Sequence, residues 1–157
     1  MLSLAYRPEL LLLDEPFGGI DALAKEEFLS GLLEMTQQNE WTILFATNEI
    51  GEVERLADQV AILERGRLKL FEPLDELQQR FRRVEVFQAL PAGFPREDAI
   101  ALESADEAFS FVHPGFTSQV ESQLVEQFGA PKVRARTMSL KEIFVTLAKS
   151  YQLQGSP

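Results

Sequence analysis

The segment PELLLLDEPFGGID, residues 8–21, decides the fold class of this 157-residue chain. Residues 10–13 are all leucine, and an apolar run without alternation is typical of a strand that a parallel sheet buries on both faces. The run leads directly into two carboxylates, Asp14 and Glu15, and then into Pro16 and a glycine pair. Because proline ends strands and glycine permits tight turns, the segment predicts a buried strand with an acidic C-terminal edge.

Two adjacent carboxylates at the end of a strand point to opposite sides and therefore take different roles. In open α/β sheets this edge is where ligands bind. One carboxylate can hold a hard cation such as Mg²⁺, usually through water, and the other can orient and deprotonate a water molecule. The alternative is a strand that runs into an ordinary acidic turn.

The residues that follow continue a strand–helix–strand order, which predicts a parallel α/β sheet. Residues 25–38 place Phe28, Leu32 and Met35 on one stripe of an amphipathic helix, and residues 41–47 form a second apolar strand. The next residues predict a short helix over 50–58 and two strands, 59–64 and 67–71, joined by a tight hairpin at Arg65-Gly66. A helix over residues 73–81, with Pro73 at its start, is predicted after them. This strand count is low for a self-sufficient doubly wound domain, so we expect that elements of the sheet are missing from this sequence.

The pattern changes near residue 84, and residues 84–157 predict a small α+β unit with a ferredoxin-like arrangement. Its predicted strands and helices are residues 84–90, 99–104, 108–114, 117–129, 132–137 and 139–151. Gly129 ends the first helix, and Ser139 with Glu142 forms a capping box at the start of the second. The predicted domains are therefore residues 1–83 and 84–157, and the second carries no chemical motif.

Composition restricts the class of protein. With 45% hydrophobic and 25% charged residues the chain is globular, and its net charge of −10 argues against nucleic acid as a partner. There is no cysteine and hence no disulfide framework. No apolar run approaches the roughly 18 residues of a membrane-spanning helix, and the N-terminus lacks the features of a signal peptide. We therefore expect no direct membrane insertion.

Two stretches in the right order resemble the ATPase subunits of ATP-binding cassette (ABC) transporters. LLLLDEPFGGID, residues 10–21, resembles their Walker B strand, catalytic glutamate and D-loop. TILFATNEIGEVERLADQVAILERGRL, residues 42–68, resembles their switch region. The resemblance covers about half the chain, residues 8–81, and implies a partial P-loop-NTPase-like parallel sheet with helices. More weakly, SLKEIFVTLAKS, residues 139–150, is similar to C-terminal extensions of exporter-type ABC ATPases.

The resemblance assigns roles to five residues of the first segment. Asp14 takes the Mg²⁺ role and Glu15 that of the catalytic general base. Asp21, with the Gly18-Gly19 turn before it, takes the nucleotide-binding D-loop role, which reaches across a dimer of two cassettes. An aspartate just before a helix is also a good N-cap, so both interpretations of Asp21 stay open.

Asn48 departs from the family pattern, in which the switch residue is a histidine that hydrogen-bonds the γ-phosphate. An asparagine amide can still donate this bond but cannot become cationic, which we expect to cost about ten-fold in rate. Alternatively, Asn48 only ends a strand in a turn. The single histidine, His113, stands beside Pro114, and we expect it in a turn or on the surface, not in a catalytic site.

A second departure is an absence: no G-x-x-x-x-G-K-[ST] loop and no family signature motif occur in the sequence. The complete family site uses ATP and Mg²⁺, but we expect this chain alone to bind and hydrolyse ATP to no appreciable extent. We also expect an exposed apolar surface around residues 10–13 and 43–45, where missing strands would pack.

Two hypotheses follow. The first is an ABC ATPase fragment that works with a membrane permease and a second ATPase subunit, cytoplasmic and peripheral to the membrane through the permease. The second is a catalytically dead binding or regulatory module that associates with a complete transporter, which Asn48 favours and the intact Asp14-Glu15 pair opposes. A third hypothesis is an unrelated structural α/β protein, and the presence of two motifs in the family's order argues against it.

Overall fold

The computed structural model of the chain describes residues 9–38 and 42–154. By contacts the chain divides into two compact units, residues 1–56 and 57–157, which are described separately below. The division predicted from sequence, at residues 83 and 84, falls inside a strand of the second unit and stays a prediction. Pro8 and Trp41, at the start of the two quoted strand segments, lie outside the described residues.

The first unit is the predicted strand–helix–strand crossover. Strand β1 (Leu10–Asp14) and strand β2 (Thr42–Ala46) pair in parallel, with Leu10 opposite Thr42 and Asp14 opposite Ala46. Helix α1 (Ala22–Gln38) connects them, and the four-residue helix α2 (Ile50–Val53) follows β2. The parallel α/β prediction is confirmed for this unit.

The two-stranded sheet buries only one of its faces. Leu11 is 8% exposed, and the buried ring of Phe17 lies edge-on to Phe28 of α1 and Phe45 of β2, at centroid distances of 6.0 and 6.2 Å. On the opposite face Leu10, Leu12 and Leu44 are 52%, 64% and 60% exposed.

The prediction that β1 is buried on both faces is therefore wrong for this chain. Successive side chains of a strand point to opposite faces, and no described element covers the face that carries Leu10, Leu12 and Leu44. The expected exposed apolar surface is confirmed for that face alone, since Ile43 and Phe45 are half-buried.

The second unit begins with an antiparallel hairpin of β3 (Gln59–Glu64) and β4 (Arg67–Pro73), followed by α3 (Leu74–Arg80). Arg65 and Gly66 adopt φ values of 48° and 74°, so both central residues of the turn are left-handed, as a two-residue hairpin with matching twist requires. The hairpin predicted at Arg65-Gly66 is confirmed.

The rest of the second unit is a four-stranded antiparallel sheet in the order β6-β7-β5-β8. Two helices and a 3-10 turn accompany it, and residues 87–99, between β5 and β6, form no helix. The elements are β5 (Arg82–Val86), β6 (Ile100–Ser104), β7 (Phe109–His113), α4 (Ser118–Phe128), the turn Ala130–Lys132, β8 (Val133–Thr137) and α5 (Leu140–Gln154). The ferredoxin-like arrangement stays a prediction.

Aromatic and aliphatic side chains fill the core between this sheet and α4. Its buried members are Val84, Val86, Phe109, Phe111, Leu124 and Phe128. The ring of Phe94, from the long β5–β6 connection, packs 5.1 Å from that of Phe109 and 5.2 Å from that of Phe111. Phe94, which lies in a loop, thus packs against the core of the sheet.

The predicted end of α4 at Gly129 and the predicted capping box of α5 are confirmed. Thr117 caps α4 by accepting a hydrogen bond from the Val120 amide, and Gly129 follows the helix with a φ of 89°. At α5, the Ser139 amide donates to the Glu142 carboxylate and the Glu142 amide donates to the Ser139 hydroxyl, which is the predicted capping box. Among the described helices, none combines the length and apolarity that crossing a membrane requires.

Candidate functional site

Glu15 lies at the C-terminal edge of the parallel pair, immediately after β1. Its amide donates a 2.8 Å hydrogen bond to the Ala46 carbonyl, which extends the ladder by one residue beyond the strand. Its φ is 43°, in the left-handed region that side chains other than glycine rarely adopt. Backbone strain of this kind clusters at functional sites.

The Glu15 carboxylate reaches across to the residues that follow β2. The Thr47 hydroxyl donates to its Oε2 at 3.0 Å, and the Asn48 backbone amide donates to its Oε1 at 3.1 Å. Glu15 and Asn48, predicted as catalytic residues, therefore meet although they are 33 positions apart in sequence. The contact uses the backbone of Asn48, so the role predicted for its side chain stays a prediction.

The turn after Glu15 favours glycine at both positions. The Gly18 amide donates to the Glu15 carbonyl at 3.1 Å, and a Cβ at Gly18 would lie 3.3 Å from that oxygen. Gly19 has a φ of 76°, where a side chain would be strained. The turn predicted at Gly18-Gly19 is therefore present, while contact with nucleotide stays a prediction.

Asp21 caps α1. Its Oδ1 accepts hydrogen bonds from the amides of Leu23 and Ala24, each at 3.0 Å. Two of the amides that a helix start leaves without a partner are thereby satisfied. The capping interpretation of Asp21 is confirmed, and its D-loop role stays a prediction.

Asp14 is the last residue of β1, opposite Ala46, and its side chain is exposed at the sheet edge. Among residues 9–38 and 42–154, no group of three or more histidine or acidic side chains is arranged to hold a metal ion. A single exposed carboxylate is nevertheless a donor that suits Mg²⁺, which keeps several waters and commonly takes one or two carboxylates together with substrate phosphates.

Three residues that bear on this site were missed in the sequence. Thr47 binds Glu15 and also accepts a 3.0 Å hydrogen bond from the Glu49 amide. Lys25 of α1 forms an ion pair with Glu49. The available signal was Thr47 itself, because a hydroxyl at the end of a strand commonly hydrogen-bonds the turn that follows.

Two ion pairs of the first unit shift the pKa values of Lys25 and Glu26 in the direction that favours their charged forms. The hydrogen bond to Glu49 raises the pKa of Lys25. Arg55 binds Glu26 through two hydrogen bonds of 2.7 and 2.8 Å, and this contact lowers the pKa of Glu26. Both pairs join α1 to the segment after β2.

The second unit holds an open cleft of 630 Å³ that none of the predicted site residues lines. Most of its lining residues are polar, and they come from α3, the start of α4 and the sheet, including Arg80, Arg82, Thr117 and Glu121. His113, at the end of β7, is half-buried, and its Nδ1 accepts a 3.1 Å hydrogen bond from the Gly115 amide in the turn that follows. Burial lowers the pKa of His113, while the charge of Asp98 opposes the shift.

Comparison with known proteins finds relatives over about half of the chain or more. An aliphatic sulfonates import ATP-binding protein of Yersinia pestis is 41% identical over 91 residues, which cover 57% of this chain and 33% of the relative. A nickel import ATP-binding protein of Pseudomonas putida is 43% identical over 82 residues, 51% of this chain and 32% of the relative. A molybdenum import ATP-binding protein of Rhodopseudomonas palustris is 29% identical over 119 residues, 76% of this chain and 30% of the relative.

The chain thus spans about a third of the length of these relatives. No protein-family model matches it. The homologues are ATP-binding proteins of import systems, which confirms the coarse part of the family prediction over about half of the chain. The assignment of residues 10–21 to a Walker B segment and the exporter-like C-terminal extension stay predictions.

Proposed function

We propose that the chain is part of an ABC transporter ATPase subunit that couples ATP hydrolysis to membrane transport. The observation that carries the proposal is the Glu15 carboxylate held by the Thr47 hydroxyl and the Asn48 amide at the edge of two parallel strands. The family resemblance of residues 8–81 and the import ATP-binding relatives support it independently. As the family resemblance implies, the subunit acts at the cytoplasmic face, with a permease and a second ATPase subunit as partners.

In this proposal the residues of the sheet edge divide the chemistry among them. Asp14 would hold Mg²⁺, and the bound ion would neutralise phosphate charge. Glu15 holds and deprotonates the attacking water, and such a base contributes about 10²–10⁴-fold to the rate. Asn48 donates its side-chain amide to the γ-phosphate. Asp21 and the glycine turn before it face the nucleotide of the second subunit.

The phosphate-binding loop is not among the 157 residues, so we expect the isolated chain to show no micromolar affinity for MgATP. A carboxylate base has no effect without a positioned phosphate. Equilibrium binding of a fluorescent ATP analogue to the purified chain measures this, and micromolar binding would overturn the expectation.

A chimera tests the function itself. Residues 8–81 replace the matching segment of the Yersinia pestis relative, which supplies the remainder of the nucleotide site. We expect MgATP hydrolysis that falls by about 10²–10⁴-fold in Glu15→Gln while ATP binding is retained. Glu27→Gln, an exposed glutamate on α1, is the matched control and should leave the rate unchanged. A chimera that hydrolyses ATP equally well with Glu15→Gln contradicts the proposal.

The second candidate is a catalytically dead regulatory module, and Asn48 is the observation that favours it. In the same chimera, Asn48→His separates the two candidates. A working site with a weakened switch residue gains about ten-fold in rate, because a cationic donor replaces a neutral one. A dead module has no rate to increase and stays inactive with either residue.

For residues 84–157 we propose an accessory or regulatory unit with a ferredoxin-like arrangement. The antiparallel strand order β6-β7-β5-β8 and the helix between β7 and β8 support it, whereas the helix-free connection between β5 and β6 is a departure. Limited proteolysis tests the proposed division between residues 83 and 84, because a separate second domain should yield a protected fragment that begins near Val84.

A further inference from the structure

Lys25 and Glu49 form an ion pair between the first turn of α1 and the segment after β2. The Lys25 amide donates to the Asp21 carbonyl at 2.9 Å, so Lys25 stands one helical turn beyond the cap. The two side chains are only 17% and 33% exposed, and a pair that is partly shielded from water is screened less than a surface pair.

Glu49 is also part of the turn of residues 47–49, which binds Glu15. Its amide donates to the Thr47 hydroxyl oxygen at 3.0 Å, and that hydroxyl donates to the Glu15 carboxylate at 3.0 Å. The Asn48 amide, between Thr47 and Glu49 in sequence, donates to the same carboxylate. Contacts therefore run without a gap from α1 through Glu49 and Thr47 to Glu15.

We propose that Lys25 and Glu49 are positioning residues, whose ion pair fixes the turn of residues 47–49 so that its hydroxyl and amide meet the Glu15 carboxylate. The catalytic meaning of this positioning rests on the proposed function. Neither side chain contacts the carboxylate itself, so both act through the Thr47 hydroxyl and the Asn48 amide.

The structure supplies a matched control in Arg55 and Glu26. This pair also joins α1 to the segment after β2, with two hydrogen bonds of 2.7 and 2.8 Å. Its side chains are 54% and 53% exposed, and it involves no residue of the 47–49 turn. Removing it tests the loss of a charge pair on the same elements without touching the turn.

Amide hydrogen exchange of the full chain, followed by mass spectrometry and resolved to Asn48, is the experiment. In Lys25→Gln and in Glu49→Gln we expect Asn48 to exchange about three- to ten-fold faster, with the Leu29 amide in α1 unchanged. The double charge reversal Lys25→Glu with Glu49→Lys should restore the slow exchange, and Arg55→Gln should leave Asn48 at the wild-type rate.

Three results would overturn the proposal: Asn48 exchange within two-fold of wild type in Lys25→Gln, equal acceleration in Arg55→Gln, or equal acceleration at Leu29, which reports general destabilisation. The measurement uses no nucleotide. Unchanged exchange at Asn48 therefore contradicts the positioning role of Lys25 and Glu49 without contradicting the proposed function. An inactive chimera contradicts the proposed function without contradicting the positioning role.

Discussion

At the scale of single residues, Glu15 is held by contacts that oppose its strained backbone. A left-handed φ in a residue other than glycine costs about 1–3 kcal/mol. The ladder bond to Ala46 and the two hydrogen bonds to the carboxylate offset that cost.

Glu15 and Asn48 could be predicted as neighbours because each follows a strand of one parallel pair. Thr47 was missed because it belongs to no periodic pattern, and its only signal was a hydroxyl at the end of a strand.

His113 carries a prediction about pH. Burial lowers its pKa below the ordinary 6.5, so the folded chain disfavours the protonated ring. The contribution of His113 to the free energy of unfolding is therefore highest above pH 6.5 and is lost as the pH drops from 6.5 through the folded pKa. Protonation of Nδ1 removes the acceptor of the Gly115 amide, which puts the loss at about 0.5–1.5 kcal/mol.

Urea unfolding at pH 7.5 and pH 5.5 measures this difference for His113. The matched variant is His113→Asn, whose side-chain oxygen can accept from the Gly115 amide but does not titrate. The wild type should lose stability between the two pH values and the variant should lose less. Equal losses in both proteins would assign the pH dependence to other groups.

At the scale of secondary-structure elements, Asp21 determines how α1 begins. Asp21→Ala removes the acceptor of two amides and should destabilise the first unit by about 1 kcal/mol. Asp21→Asn keeps an acceptor oxygen and removes the charge, so its stability should stay near that of the wild type. Thermal unfolding followed by circular dichroism compares the three proteins. A loss in Asp21→Asn as large as in Asp21→Ala would mean that charge, not capping, stabilises the helix start.

The start of α5 gives a second prediction about pH, at a more acidic range than that of His113. Hydrogen bonds from the Arg136 guanidinium and from the Ser139 amide lower the pKa of Glu142 to about 2. Its stabilising effect is complete above the ordinary value of 4.5 and is lost as the pH falls from 4.5 through about 2. Glu142→Gln should therefore cost about 0.5–1.5 kcal/mol at pH 7 and almost nothing at pH 2.

Denaturant titrations of wild type and Glu142→Gln between pH 7 and pH 2 measure how the gap closes. Lys141→Gln, the exposed neighbour on the same helical turn, controls for a change of charge at this position. A gap that stays constant down to pH 2 would show that packing, not the ionised carboxylate, gives Glu142 its effect.

Elements with local signals were predictable, and those that depend on distant partners were not. The turn at Arg65-Gly66 and the capping box of Ser139 and Glu142 are each specified within four residues, and both are present. The predicted strand over residues 84–90 instead runs from Arg82 to Val86, because its ends are set by pairing with β7 and β8. The sequence of the strand alone does not indicate how its residues pair with those of β7 and β8.

At the scale of the whole molecule, each unit leaves a sheet face uncovered within the described residues. Leu12 and Leu44 are direct partners on the exposed face of the first unit. Leu63 and Leu68 are partners on the exposed face of the β3–β4 hairpin, where Phe71 is also 63% exposed. Burial on both faces could not be inferred from the leucine run alone, since it depends on elements that must lie against the sheet.

We expect these faces to make the chain self-associate and bind hydrophobic dyes at micromolar concentration. Leu12→Glu with Leu44→Lys places opposite charges on the paired positions of the first unit. The same exchange at the hairpin, Leu63→Glu with Leu68→Lys, is the matched variant for the second unit. Dye fluorescence and sedimentation velocity compare the three proteins. Each double variant should lower dye binding and shift the population towards monomer, and the larger effect identifies the dominant face. A wild-type chain that is monomeric and binds no dye would mean that neither face drives association.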